Sequence, residues 1–85
     1  MPVTAVIAPG AVTAGSNISL PQPYPDISVI VSCIHITLSD ASTAGTVTTP
    51  TATKVDDRTF TLDEDTTARS VVVLIYVAEG EMSGF

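Results

Sequence analysis

Hydrophobic and polar residues alternate over short runs in this 85-residue chain, and turn residues separate the runs about every ten residues. No stretch of a dozen residues repeats apolar side chains at helical spacing. Thr, Val, Ile and Ser dominate, and β-branched residues favour strands. The pattern therefore predicts an all-β fold, a small antiparallel β-sandwich or barrel. The predicted strands are residues 4–8, 17–20, 27–38, 46–53, 58–62 and 70–78.

The last run, residues 70–78, is apolar on both faces of any strand that it forms and carries no charge. Alternate side chains of a strand point to opposite faces. The odd positions are Val71, Val73, Ile75 and Val77, and the even positions after Ser70 are Val72, Leu74, Tyr76 and Ala78. A small domain has one core and normally buries one face of a sheet. The second face is therefore expected to be covered by another protein molecule.

Residues 27–38 form the longest predicted strand, and its apolar face changes midway. The odd positions are apolar as far as Cys33, and the even positions are apolar from Ile34 onward. Such a change predicts a β-bulge, a strong bend or a strand that moves from one sheet to the other. If this strand lies beside residues 70–78, the two together form a partner surface that is a patch of sheet.

The chain divides by composition into two parts. Residues 1–25 are rich in Pro and Gly, which predicts an extended N-terminal arm or edge strands, and residues 26–85 form the sandwich core with a short C-terminal tail. Within the core, Pro50 interrupts the strand 46–53 and marks it as an edge strand or a bulge site. Phe60 and Leu62 are expected to point inward.

An 85-residue chain buries barely enough apolar surface to offset the conformational entropy lost on folding, so marginal stability is expected for the isolated domain. Small folds are usually stabilised by disulfides, metal ions or association. The single cysteine, Cys33, excludes an intrachain disulfide, and the single histidine, His35, leaves no Cys/His zinc set. Association is the remaining source of stability.

The charge of the chain limits its partners. The net charge is −6, and the basic residues are Lys54, Arg58 and Arg69. So few cations give no phosphate-binding surface, so neither nucleic acid nor an anionic membrane is expected as a partner. The apolar runs are also shorter than the about 20 residues that span a bilayer. The first residues do not resemble a signal peptide, which favours synthesis in a reducing cytoplasm.

Few residues are candidates for chemistry. The acidic turns 56–57 and 63–65 could bind Ca²⁺, but their spacing matches no loop signature, and Asp is common in solvated turns. Cys33 and His35 would share one face of a strand. They could form a nucleophile pair, and the alternative is that both are ordinary buried core residues. No catalytic, cofactor-binding or metal-binding residue is predicted, so the protein is not expected to be an enzyme.

The predicted interface combines the two long strands with the tail. Its residues are Val72, Leu74, Tyr76, Ile34, Ile36, Met82 and Phe85. An apolar side chain on a free tail adds exposed hydrophobic surface, so Met82 and Phe85 are expected to enter a pocket on a neighbouring subunit. The alternative is a tail that folds back on its own sheet.

The closing stretch of residues 58–62, 66–68 and 70–81 resembles the C-terminal strands of small virion structural proteins of tailed bacteriophages, among them capsid decoration or cement proteins. A Thr-rich strand, an acidic turn, a long uncharged strand and a short acidic tail carry the likeness, which covers about the last third of the chain. It implies a non-catalytic homo-oligomer, made in the host cytoplasm and residing in the virion, that binds a major capsid protein or another virion protein and stabilises the shell. The alternative interpretation is a monomeric Ig-like ligand-binding or carbohydrate-binding module, which would have a polar second face and a cluster of exposed aromatic residues.

Overall fold

Two antiparallel β-sheets make up the part of the protein that the structure, a computed structural model, describes, residues 2–80. The strands are β1 (Pro2–Ile7), β2 (Asn17–Ser19), β3 (Ile27–Thr37), β4 (Thr46–Thr48), β5 (Ala52–Asp56), β6 (Thr59–Leu62) and β7 (Ser70–Ala78). The four-stranded sheet has the order β1-β7-β3-β4, and the three-stranded sheet has the order β2-β6-β5. The prediction of a small all-β antiparallel sandwich is confirmed. Within residues 2–80, no helix is long and apolar enough to cross a membrane.

One core lies between the two sheets. Because side chains alternate along each strand, every long strand contributes its inward positions and leaves the others outside. Tyr76 and Phe60 are the largest of the fully buried side chains, and Phe60 and Leu62 point inward as predicted. The core residues are Ala5, Ile7, Ile18, Leu20, Ile27, Cys33, Phe60, Leu62, Val72, Leu74, Tyr76 and Ala78.

The predicted β-bulge in β3 is found, but it lies before the change of apolar face at Cys33 and Ile34. The register of β3 against β7 shifts between Ile27 and Val29 and again between Ile30 and Ser32. Each extra residue moves the following side chains to the opposite face of the strand. The two shifts cancel each other, so Ile27 and Cys33 both point inward, and Ile30 between them also faces the core opposite Tyr76. From Ser32 to Thr37 the strand is regular, and Ile34 and Ile36 point outward.

Of the two alternatives predicted for residues 1–25, the structure shows edge strands, and the extended arm is not confirmed. β1 pairs with β7 at one edge of the four-stranded sheet, and β2 pairs with β6 at one edge of the three-stranded sheet. Both strands give side chains to the core, Ala5 and Ile7 from β1 and Ile18 from β2. The segment is an integral part of the sandwich.

Arg58 holds the proline-rich connection between β2 and β3 against the sandwich. Its guanidinium donates hydrogen bonds to the main-chain carbonyls of Leu20, Pro21 and Tyr24. It also pairs with the carboxylate of Asp26 at 3.1 Å. Carbonyls that have no strand partner are satisfied in this way, as the backbone requires.

The prediction of one strand over residues 46–53 is wrong. The chain divides into β4 and β5, which belong to different sheets, and Pro50 lies buried between them. Proline has no N–H to donate to a ladder, so the chain leaves one sheet at this position and enters the other.

Candidate interaction surface

The strand β7 lies in the middle of the four-stranded sheet, between β1 and β3, and the structure shows which of its faces is the core. Val72, Leu74 and Tyr76 are each 0% exposed and pack against the three-stranded sheet. Their prediction as interface residues is corrected, because this protein's own second sheet covers their face. The odd-numbered positions of β7 point to the other side.

Strand register assembles that other side into a continuous surface, here called the outer face. Residues that lie opposite each other in an antiparallel pair point to the same side of the sheet. Val73 lies between Val6 of β1 and Ile34 of β3, and one step along the sheet Val71 lies opposite Ile36. The outer face comprises Pro2, Thr4, Val6, Val29, Ser32, Ile34, Ile36, Val47, Val71, Val73, Ile75 and Val77.

The outer face is apolar and uncharged. Thr4 and Ser32 are its only polar residues. At the margins Val6 is 55% exposed and Val47 67% exposed, while the outward residues of β7 are half-buried by their neighbours in the sheet. A contiguous apolar surface of this kind on a small protein generally marks an interaction site.

The outward side of the three-stranded sheet is different in kind. Asn17, Thr61 and Thr53 form one of its rows, and Ser19, Thr59 and Asp56 form the next. Polar residues outside and apolar residues inside are typical of an antiparallel sheet that faces water. The four-stranded sheet does not follow this pattern, because its outer face is also apolar.

The remaining predicted interface residues have different positions. Ile34 and Ile36 point outward and belong to the outer face, beside Val73 and Val71. Met82 and Phe85 lie outside the described residues.

The edges of the four-stranded sheet are poorly suited to pairing with another strand. On the β4 side, β3 is paired only from His35 to Thr37, and the two bulges distort the strand before that. Bulges and lysines are features that prevent edge-to-edge pairing, and here the Nζ atom of Lys54 lies 3.4 Å from the Ser28 carbonyl. On the opposite edge, the Tyr24 hydroxyl accepts a hydrogen bond from the Val6 N–H.

A polar cluster lies inside the sandwich at one end and joins the two sheets. His35 of β3 is 5% exposed. Its Nδ1 atom lies 2.5 Å from Oε2 of Glu64, in the connection that follows β6, and its Nε2 atom lies 2.7 Å from the Ser70 hydroxyl at the start of β7. Glu64 also accepts a hydrogen bond from the Thr48 hydroxyl at 2.6 Å. The Ser70 oxygen accepts the Thr67 N–H at 2.8 Å.

The cluster keeps Glu64 ionised. A carboxylate only accepts hydrogen bonds, so the Nδ1 atom of His35 donates to Glu64, and the Nε2 atom is hydrogen-bonded to the Ser70 hydroxyl. The hydrogen bond from His35, followed by that from Thr48, lowers the pKa of Glu64 below its ordinary value of 4.5. The buried histidine is therefore fully hydrogen-bonded, which is what a polar group in a core requires.

Ser70, His35 and Glu64 have the order of groups found in hydrolase triads, but not the access that catalysis needs. Ser70 is 3% exposed, and its oxygen already accepts a main-chain hydrogen bond. A nucleophile has to reach a substrate carbonyl beside an oxyanion hole. The arrangement is suited to joining the sheets and not to acyl transfer.

Cys33 is an ordinary buried thiol. It is 4% exposed. Burial, with the negative charges of Glu64 and Asp63, raises the pKa of Cys33 from 9.0 to about 11. A thiol held in the protonated form is a poor nucleophile and a poor metal ligand.

The carboxylates of the acidic turns bind main-chain amides. Asp63 accepts the Thr51 N–H at 3.0 Å, and Asp65 accepts the Ala14 N–H at 2.7 Å. In the part of the chain that the structure describes, no three His, Cys, Asp or Glu residues are grouped to hold a metal ion. These turns thus organise the connections between strands.

The aromatic residues of the described segment do not form an exposed platform. Phe60 and Tyr76 are 0% exposed. Tyr24 is half-buried, with its hydroxyl bonded to the β1 backbone. Stacking of a sugar requires an exposed aromatic face, so the carbohydrate-binding interpretation gains no support from residues 2–80.

Two features of the site were missed by reasoning from the sequence. The contribution of Val6, Val29 and Val47 to the outer face depends on strand register, which their own segments do not reveal. The link between His35 and Glu64 had a signal, because a histidine that shares an inward face with Cys33 needs a buried polar partner.

Comparison with family models, with curated proteins and with solved structures finds no match to this chain.

Proposed function

We propose that this protein is a non-enzymatic structural component of a larger protein assembly, which it joins by burying the outer face against other protein. The uncharged apolar character of the outer face carries the proposal. The outer face is a broad sheet surface. Its side chains are suited to contact with another protein and not to a chemical reaction.

The contrast between the two sheets supports this function. Each sheet has one face that points away from the core. On the three-stranded sheet this face presents rows of Thr, Ser, Asn and Asp, whereas on the four-stranded sheet it presents mainly Val and Ile. Interfaces of permanent assemblies are rich in apolar residues and poor in charged ones at their centres. Leaving so many β-branched side chains in water would also favour uncontrolled aggregation.

The proposed setting is a virion, in which the protein decorates the capsid and binds a major capsid protein or another virion protein. The resemblance of the closing stretch to tailed-phage virion proteins supports this setting. A small sandwich that associates through one apolar face is suited to covering a lattice of larger subunits as an oligomer. We propose no catalytic step and no cofactor for this role.

A pair of lysine substitutions tests the proposed use of the outer face. Val73→Lys places an ammonium at the centre of the outer face, and Thr61→Lys places one at the centre of the opposite, polar surface. Both variants change the net charge of −6 by the same single unit. Burying an unpaired charge is costly, so Val73→Lys should fail to associate, whereas Thr61→Lys should behave as the unchanged protein.

The measurement is co-sedimentation with virus particles from the cells that make the protein, together with sedimentation velocity of the purified protein. Circular dichroism checks that both variants keep the fold, which is the expected result. Hundreds of copies per particle, lost only in Val73→Lys, are expected. A protein that stays monomeric at micromolar concentration and is also absent from particles would overturn the proposal and favour the monomeric binding module.

A further inference from the structure

We infer that a second copy of this chain covers the outer face, stacked face to face about a twofold axis with Val73 of both copies near the axis. The inference rests on the proposed function and names the partner that the same surface takes. Three properties of the outer face carry it: its area, its charge and its twist.

The area of the outer face is close to what a dimer needs. The strands β1, β7, β3 and β4 have 6, 9, 11 and 3 residues, 29 in all. With strands about 4.8 Å apart and a rise of about 3.3 Å per residue, they give roughly 460 Å² of sheet in projection. Two such faces give roughly 900 Å² before the relief of the side chains is added, which approaches the lower limit of about 1,000 Å² for a specific protein interface. One copy of the same face covers the whole surface and leaves none of its valines in water.

The charge distribution also favours a copy of the same chain. The protein is strongly acidic, at −6, and no carboxylate of residues 2–80 lies on the outer face. Asp56, Asp57, Asp63 and Asp65 lie in or beside the three-stranded sheet, so two sheet layers and their packed cores separate them in the stacked pair by more than the Debye length of about 8 Å. Asp26, Asp40 and Glu79 lie beyond the ends of β3 and β7, where Arg58 pairs with Asp26 and Lys54 with Glu79. A neutral apolar face is complementary to another neutral apolar face, and the described residues carry one such face.

The shape of the face adds a third argument. Every β-sheet has the same right-handed twist, and two twisted sheets pack well when their strands cross at about 30°. Two copies of one sheet have identical twist and meet this condition. The dimer would then repeat, between copies, the packing that joins the two sheets within each copy.

A twofold axis brings a residue at the centre of the face close to its own counterpart, and this distinguishes it from a head-to-tail contact. Val73 is the central position, flanked by Val6 and Ile34 across the strands. A Val73→Cys variant should therefore be cross-linked to itself by a bismaleimide with a spacer of about 10 Å, the separation of packed sheets. Cys33 does not interfere, because burial and a raised pKa make it unreactive.

The matched control is Thr61→Cys, which sits at the centre of the opposite surface, and the unchanged protein controls for Cys33. The expected result is a covalent dimer of two 8.8 kDa chains for Val73→Cys and monomer for both controls. Sedimentation of the same samples without cross-linker should give the mass of two chains.

Each other outcome overturns the inference. If the protein associates with itself but Val73→Cys stays uncross-linked, the contact is head to tail, and the proposed function survives without the twofold stack. If the protein binds virus particles but does not associate with itself, a different protein covers the outer face. In that case the inference fails and the proposed function survives. If neither association occurs, the proposed function fails with it.

Discussion

Alanine at Val72 and, separately, at Val73 gives a direct measurement of which face of β7 is the core. The two valines are neighbours in the middle of one strand, so they lose the same two methyl groups and nearly the same strand propensity. Val72 is 0% exposed between the sheets, whereas Val73 points to the outer face. Only their environment differs.

The expected cost at Val72 follows from its burial. Two methyl groups at about 0.8 kcal/mol each give ~1.6 kcal/mol of lost transfer free energy. A remaining cavity of roughly 50 Å³ adds ~1.2 kcal/mol at about 24 cal/mol per Å³. Val72→Ala should therefore lower the free energy of unfolding by about 2–3 kcal/mol, and Val73→Ala in the monomer by less than ~1 kcal/mol.

Urea denaturation followed by circular dichroism, at a protein concentration low enough for sedimentation to give the mass of one chain, measures both values with the outer face uncovered. A loss of 1 kcal/mol corresponds to about 4–8 °C in Tm for a domain of this size, so the two variants are easily separated. A concentration series adds a second readout. Association stabilises the folded state, so Tm should rise with protein concentration, and Val73→Ala should weaken this dependence.

Equal losses of stability at the two positions, or a larger loss at Val73, would refute the assignment of the faces. A Tm that does not depend on concentration in the unchanged protein would count against association through the outer face. Thr61→Ala, on the polar surface, controls for the general effect of alanine in a central strand.

Two further predictions concern the buried polar groups. Because the folded-state pKa of Glu64 is lowered, its contribution to stability is present above pH 4.5 and is lost as the pH falls through the folded pKa; in an acid series of Tm values, Glu64→Gln should lose less stability over that range, and an unchanged slope would contradict the prediction. Cys33, with its pKa raised from 9.0 to about 11, should react with a disulfide reagent at pH 8 roughly 100-fold more slowly in the folded than in the urea-unfolded protein, and equal rates would contradict its burial.

Much of the fold could be predicted from the sequence because runs of β-branched residues bounded by turn residues indicate strands. The pattern gave the full extent of β7, the inward Phe60 and Leu62, and the bulged β3. The assignment of β4 and β5 to different sheets could not be read in the same way. It depends on where the chain turns around the buried Pro50, and either a bulge or a change of sheet satisfies a proline at that position.

The outer face could be predicted only in part, and for a different reason. Period-2 alternation shows that β7 has two apolar faces, but it carries no information on which face meets the other sheet. That choice depends on residues distant in sequence, Phe60 and Ile18 among them, which pack on Leu74 and Tyr76 in the shared core. Reasoning from one strand therefore chose the wrong face for the partner.

The polar cluster explains why the two apolar faces of β7 are not interchangeable. Ser70 begins the strand on its inward face and bonds the buried His35, whose other nitrogen donates to the Glu64 carboxylate in the connection that follows β6. Turning the strand over would take the Ser70 hydroxyl away from His35 and from the Thr67 N–H, at a cost of about 1–3 kcal/mol for each polar group left buried without a partner. No comparable requirement acts on the odd positions, since Val71, Val73, Ile75 and Val77 have no polar atoms to satisfy. Hydrogen bonding thus selects the even face as the core, and the odd face is left apolar and open to a partner.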